Sequence, residues 1–167
     1  GHIEFTRGCP YDCSYCGAGS IRKLYAQEGI AYVRSRDPES AVKEYKYLKE
    51  KHKLDMFYFI DGTFLAMNIK TLEKLAELYK KEVNLPFIAL VHPNTIKEHT
   101  AELLKQMGCV HVSMGVESGL ADYRSKILNR KMSNEQIIKS IKLLKSKGIF
   151  VSAYNLLGVP GMDRAHF

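Results

Sequence analysis

Cys9, Cys13 and Cys16 fall within one short segment, Cys-Pro-Tyr-Asp-Cys-Ser-Tyr-Cys, directly behind an apolar stretch that reads as a strand, Ile3 to Thr6. Thiols this close together, in a chain with no secretion-signal pattern, suit a metal better than disulfides. A [4Fe-4S] cluster takes four ligands, normally all cysteine. Three local cysteines leave one iron open, and an open metal position separates a reactive centre from a structural one. The competing chemistries are a zinc knuckle or a redox dithiol, with Cys109 as the further ligand. Structural zinc favours short CxxC pairs. Cys109 also precedes the apolar run Val110 to Val116, so it sits at that strand's N-terminal end, whereas the triplet follows the C-terminal end of its own strand. In a parallel sheet those are opposite edges, which assigns Cys109 to the core.

The elements that must position the cysteines alternate strand and helix. Asp37-Pro38-Glu39 opens a helix, with Asp37 as cap, proline in the first turn, and Ala41, Val42, Tyr45 and Leu48 along one face. Met56 to Ile60 is a continuous apolar run, as expected of a strand covered on both faces. Asn68 caps a helix with the stripe Ile69, Leu72, Leu75 and Leu78; Phe87 to Val91 is the next strand. A helix then stops at Met107-Gly108, ahead of the strand Val110 to Val116. Ser133-Asn134-Glu135-Gln136 reads as a capping box for a helix with Ile137, Ile138, Ile141 and Leu144 inside, and Ile149 to Leu157 is the fifth strand. Such alternation predicts an α/β fold with parallel strands joined by right-handed crossovers.

In parallel α/β folds, ligands bind at the C-terminal ends of the strands. Those ends carry the cysteines, Asp61-Gly62-Thr63-Phe64, His92-Pro93-Asn94, Gly115-Val116-Glu117-Ser118-Gly119, and Tyr154-Asn155 through Gly158-Val159-Pro160-Gly161. Polar residues thus gather on one edge of an otherwise apolar sheet, which fits a polar ligand.

The CxxxCxxC spacing, the tyrosine before its last cysteine and the strand ahead of it resemble the radical S-adenosylmethionine (radical SAM) superfamily. That resemblance implies a partial TIM-like (β/α)6 barrel with about five parallel strands present, residues 1–167 being a C-terminally truncated core domain. It implies a [4Fe-4S] cluster on Cys9, Cys13 and Cys16, with SAM on the open iron, cleaved to a 5′-deoxyadenosyl radical. Asp61-Gly62-Thr63-Phe64 is similar to the Asp-Asp-x-Phe element of cobalamin-associated members. By resemblance, Asp61 accepts from the SAM ammonium, assisted by Thr63. Glu117 and Ser118 hold the ribose or methionine part, and Arg130 pairs with the SAM carboxylate. Asn155 to Pro160, including Gly158, cradles adenine beside Tyr15. His92 and Asn94 inherit no role and are substrate-contact candidates.

Arg-Gly-Cys-Pro, Tyr32-Val33-Arg34-Ser35-Arg36 and Asp-Gly-Thr-Phe together resemble the cobalamin-binding branch, with methyltransferase or rearrangement chemistry and cobalamin in a domain not present here. The same Arg-Ser-Arg segment is similar to methylthiotransferases acting on tRNA or a ribosomal protein, which would make Arg34 and Arg36 an RNA-facing patch. A reductant such as flavodoxin or ferredoxin is implied. A third reading, of another class, is a non-catalytic zinc module that recognises RNA.

Composition narrows these readings. The 167 residues suffice for one domain with a real core, and no stretch approaches a membrane span. The net charge of +7 invites a nucleic-acid partner. However, Lys43, Lys46, Lys49, Lys70, Lys74, Lys139, Lys142 and Lys145 fall on polar helix faces, the usual pattern of a solvated surface. Free thiols without a signal sequence indicate the cytoplasm.

Overall fold

The first apolar stretch does not run straight. In the computed structural model, which describes residues 1–163, it divides into β1 (His2–Ile3) and β2 (Thr6–Arg7). β1 enters the main sheet, while β2 leaves it to pair antiparallel with β3 (Arg34–Ser35). Arg7–Arg34 and Thr6–Ser35 are the register pairs, so this ribbon ties the two ends of the cysteine-bearing excursion together. Nothing in the apolar pattern distinguishes such a bend from a continuous strand.

The main sheet has the order β1, β4 (Phe57–Phe59), β5 (Phe87–Val91), β6 (Cys109–Glu117), β7 (Phe150–Asn155), with all four pairings parallel. Helices α2 (Pro38–His52), α3 (Ile69–Leu78), α4 (Glu98–Met107) and α6 (Asn134–Ser146) alternate with these strands, giving the anticipated partial α/β barrel. α1 (Ala18–Gln27) follows the cysteines, and the short α5 (Ala121–Lys126) follows β6.

The helix starts behave as their sequences dictate. The Asp37 carboxylate accepts from Ser40 N at 2.9 Å, and the Asn68 amide oxygen from Thr71 N at 2.9 Å. Gly108 ends α4 with a φ of 99° that disfavours any side chain. At α6 only half of the expected capping box forms. Ser133 Oγ accepts from Gln136 N, but the Gln136 side chain reaches instead to the Pro93 carbonyl and Ser140 Oγ.

One face of the sheet packs against the helices around an aromatic centre. Phe59 meets Phe64, Phe87, Tyr45 and Tyr79 at ring separations of 4.5 to 6.0 Å, all five rings being fully buried. Alternate residues face the concave side, so the expectation of strands covered on both faces is corrected: Met56 and Ile60, flanking β4, are exposed. Ile138, expected inside, is likewise exposed, because α6 turns Ile137 and Leu144 rather than Ile138 onto the core. The concave face is polar where β6 meets β7. His111 Nε2 and Ser152 Oγ are 2.8 Å apart, and Ser113 Oγ donates to the Tyr154 hydroxyl at 3.0 Å. Among the described residues no helix is long and apolar enough to cross a membrane.

Candidate cluster and cofactor site

The cysteine loop lies over the C-terminal edge of the sheet, and its path is set by contacts on both flanks of Cys13. Asn129 Nδ2 donates to the Asp12 carbonyl at 2.6 Å, Ser14 N to the Leu128 carbonyl at 3.1 Å, and Ser14 Oγ to the Ile127 carbonyl at 2.6 Å. Arg22 pairs with Asp12 at 3.0 Å and donates to the Pro10 carbonyl at 2.8 Å. Tyr11 stacks on His92 with ring centroids 3.6 Å apart and planes 15° from parallel.

Cys9, Cys13 and Cys16 line one cavity of about 210 Å³, together with Tyr11, Tyr15, Gly62, Thr63, His92, Ser113, Gly115, Glu117, Arg130 and Tyr154. Larger hollows exist elsewhere on the surface, but this one alone among those described borders the cysteines. All four cysteines are free, and burial pushes the Cys9 thiol up. Cys109 is buried at the opposite, N-terminal edge, where desolvation drives its thiol up to about 12. It is a core residue, as its position in the sequence implies.

Four of the anticipated cofactor residues reach the cavity: Tyr15, Thr63, Glu117 and Arg130. Glu117 ends β6 at a φ of +70°, where the β6–β7 register breaks, and its carboxylate is 3.9 Å from Arg130 Nη1. Burial opposes the Arg130 charge. Hydrogen bonding to Cys13 and the field of Tyr15, Cys13 and Glu117 still hold the guanidinium above its ordinary value. Burial raises the Tyr15 phenol well beyond its ordinary range.

The other four lie elsewhere. Asp61 is completely buried beneath the loop, where its Oδ1 accepts from the backbone N–H groups of Phe5 and Thr6. Its carboxylate holds the β1–β2 bend, and Gly62 and Thr63 line the cavity beside it. Ser118 is also turned away, its Oγ accepting from Leu120 N at 3.2 Å. Asn155 pairs in register with Glu117 but is exposed, and Gly158 lies beyond it at a φ of +73°. Neither lines the cavity. His92 does, while Asn94 instead directs its amide toward the Lys131 carbonyl at 3.4 Å.

Arg124 carries no motif to announce it. It is fully buried and donates to the Ser118 and Met132 carbonyls and to Asn134 Oδ1. Only the three-dimensional path of residues 117–134 reveals that role.

The residues present fit a cluster and a polar ligand. Among the described residues, no group of three Cys, His, Asp or Glu side chains is gathered to hold one metal ion. A cubane gives each thiolate its own iron, so its ligands need not converge on one atom. Two polar atoms of cavity-lining residues, Thr63 Oγ1 and Arg130 Nε, are buried without a partner, which fits a polar ligand at this place.

Comparison with protein families matches residues 3–167 to the Radical SAM superfamily. The chain is 29% identical over 158 residues to the anaerobic magnesium-protoporphyrin IX monomethyl ester cyclase of Rubrivivax gelatinosus, covering 93% of this chain and 27% of the cyclase. It is 24% identical over 176 residues to the ribosomal protein uS12 methylthiotransferase RimO of Clostridioides difficile, covering 99% of this chain and 38% of that one. Among solved structures it matches TsrM, a radical SAM methyltransferase from Kitasatospora setae with cobalamin and a [4Fe-4S] cluster bound. The TM-score is 0.76 at 20% identity, over 99% of this chain and 30% of TsrM. The chain thus spans well under half the length of each. With the match running through the whole sheet and the cysteine loop, this chain belongs to the radical SAM superfamily, whose members bind a [4Fe-4S] cluster and SAM.

Proposed function

We propose that Cys9, Cys13 and Cys16 each ligate one iron of a [4Fe-4S] cluster, and that SAM lies in the adjoining cavity against Tyr15, Thr63, Glu117 and Arg130. The observation that carries this reading is the meeting of three thiols, a carboxylate, a guanidinium and an unpartnered hydroxyl around one cavity at the C-terminal strand edge. When bound, the cluster and SAM supply reductive cleavage of a sulfonium, and hence a radical able to take hydrogen from an unactivated carbon. The chain's own residues position and enclose. Asp61 and Ser118 hold the loops that shape the cavity. Backbone groups from Asn155 to Gly158, beyond the cavity lining, would read the adenine edge. His92 accepts from Asn94 N at 3.2 Å through Nδ1, which leaves its Nε2–H as a donor toward substrate. Burial, then the Arg130 charge, depress its pKa to about 3, so the ring stays neutral.

Residues 1–167 serve, on this reading, as the catalytic core of a cobalamin-type methyltransferase or rearrangement enzyme, with cobalamin carried by a further domain. The likeness to TsrM, whose structure holds cobalamin, supports that branch. The relationship to RimO supports a methylthiotransferase as the second reading. Its RNA-facing patch is less well supported, because Arg36 is paired with Glu44 and Arg34 lies over the Tyr25 ring at 5.2 Å. Superfamily membership disfavours the zinc module. A flavodoxin or ferredoxin would deliver the electron, and four free thiols support a reducing, cytoplasmic setting.

The test is electron paramagnetic resonance on anaerobically reconstituted, reduced protein with and without SAM. A [4Fe-4S]⁺ signal that shifts on adding SAM, and is lost in Cys13→Ala, is the expected result. A cluster indifferent to SAM, or SAM cleavage retained by Cys13→Ala, overturns the assignment.

A further inference from the structure

The three cysteine sulfurs are not equivalent. Cys9 receives a backbone hydrogen bond from Tyr11, and Cys16 a long one from Ala18 N at 3.5 Å. Cys13 alone among the described residues receives a cationic side chain: Arg130 Nη1 lies 3.3 Å from its sulfur. This contact is not a matter of one long side chain choosing a rotamer. The backbone on both sides of Cys13 is fastened to the segment that carries Arg130, through Asn129 to Asp12 and through Ser14 to Ile127 and Leu128. The guanidinium is anchored from behind as well, with Nη2 donating to the Gly115 carbonyl at 2.5 Å. Arg130 is 7% exposed, so solvent and salt screen it little.

Nη1 donates to the Cys13 sulfur and to the Tyr15 hydroxyl, both at 3.3 Å, while Nη2 donates to the Gly115 carbonyl, which fixes the plane of the guanidinium and aims Nη1 at sulfur. We infer that Arg130 is a positioning residue for electron transfer: it donates a charge-assisted hydrogen bond to the Cys13 thiolate and raises the reduction potential of the cluster bound there. This rests on the cluster assignment proposed above. Reduction adds negative charge to the cluster and its sulfurs, so a fixed cation and N–H donor stabilise the reduced form more than the oxidised one. Hydrogen bonds to cluster sulfurs are among the determinants of such potentials.

The experiment compares anaerobically reconstituted wild type, Arg130→Gln and Arg130→Lys. Iron and sulfide are quantified first, and the cluster is then titrated potentiometrically by electron paramagnetic resonance in the absence of SAM. The expected result is full cluster content with a midpoint shifted to more negative potential in R130Q and to an intermediate value in R130K, which keeps the charge but not the fork. In parallel, resonance Raman of the wild type in H₂O and D₂O reads the iron–cysteine stretches, where a bonded thiolate shifts on exchange. An unshifted midpoint in a fully loaded R130Q overturns the inference, as does weakened SAM binding with the wild-type midpoint, which would make Arg130 a cofactor contact only. If R130Q fails to hold cluster, R130K decides against the wild type: a midpoint and an exchange shift that both change support the bond, and a midpoint left unchanged refutes it. A wild type with no cluster at all refutes the cluster assignment, and this inference with it.

Discussion

Asp61→Asn isolates the energetic cost of the carboxylate that holds the β1–β2 bend. Burial pushes the Asp61 carboxyl up from 3.8 to about 6, although the N–H groups of Thr6 and Phe5 pull it down. The native state therefore holds its proton more tightly than the unfolded chain does. The stability this contributes is fully present below the unfolded value of 3.8 and is lost as the pH rises to about 6. A gap of roughly two pH units corresponds to about 3 kcal/mol. Asparagine keeps an Oδ1 acceptor for both N–H donors and does not titrate. Its amide nitrogen would take the place of Oδ2, which is buried without a partner, at a pH-independent cost of about 1–3 kcal/mol. The two effects separate by pH. Urea unfolding of metal-free wild type and D61N from pH 4 to pH 8 should show the variant gaining on the wild type by about 2 kcal/mol between pH 4 and pH 6.5, then running parallel. A difference that stays flat across that range, or moves the other way, would refute the argument that Asp61 is a desolvated structural carboxylate.

Two glycines offer further tests. Gly8 has a φ of +91°, and a Cβ there would overlap the Tyr32 carbonyl of the facing ribbon. Gly8→Ala should lower stability by more than about 1 kcal/mol, seen as a fall in Tm, and should reduce cluster retention at the adjacent Cys9. A Cβ on Gly115 would overlap Glu117 Oε1 and lie 3.2 Å from Arg130 Nη2, while the aromatic centre lies elsewhere. Gly115→Ala should leave Tm within a few degrees of wild type but weaken SAM binding by roughly 10- to 100-fold, the equivalent of one charge-assisted hydrogen bond; an unchanged calorimetric affinity would contradict it.

What could be read in advance follows from how local each signal is. The cysteine triplet, the Asp37 and Asn68 caps and the Gly108 stop act through neighbours a few residues away, and each appears where its spacing demands. The parallel direction of the strands followed from the alternation of elements, because parallel strands must cross over through helices. Asp61 was different. Its place at a strand end was legible, but which way its side chain turned depended on the bend at residues 4–5, created by a ribbon partner some thirty positions away. Ile138 shows the same limit on a helix: it sits within a helical apolar pattern that is wider than the face α6 buries.

Arg124 shows why the far side of the site was the least legible part, and how that part stays in shape. Glu117 and Asn129 both adopt left-handed backbone conformations without being glycine, at φ of +70° and +50°. Such residues cost of order 1 kcal/mol or more each and persist only where the surroundings over-determine them. Arg124 supplies that constraint. Its guanidinium spans the loop between them, bonding Ser118 next to Glu117 on one side and Met132 and Asn134 beyond Asn129 on the other. Its backbone carbonyl also accepts from Arg130 N at 2.8 Å. Burial and the nearby Arg130 charge lower its pKa, the expense of placing a cation where no carboxylate among the described residues answers it. That expense makes sense only if the geometry it secures is needed. The segment it braces, from Glu117 to Arg130, delivers a carboxylate and a guanidinium to the cavity that the cysteines line.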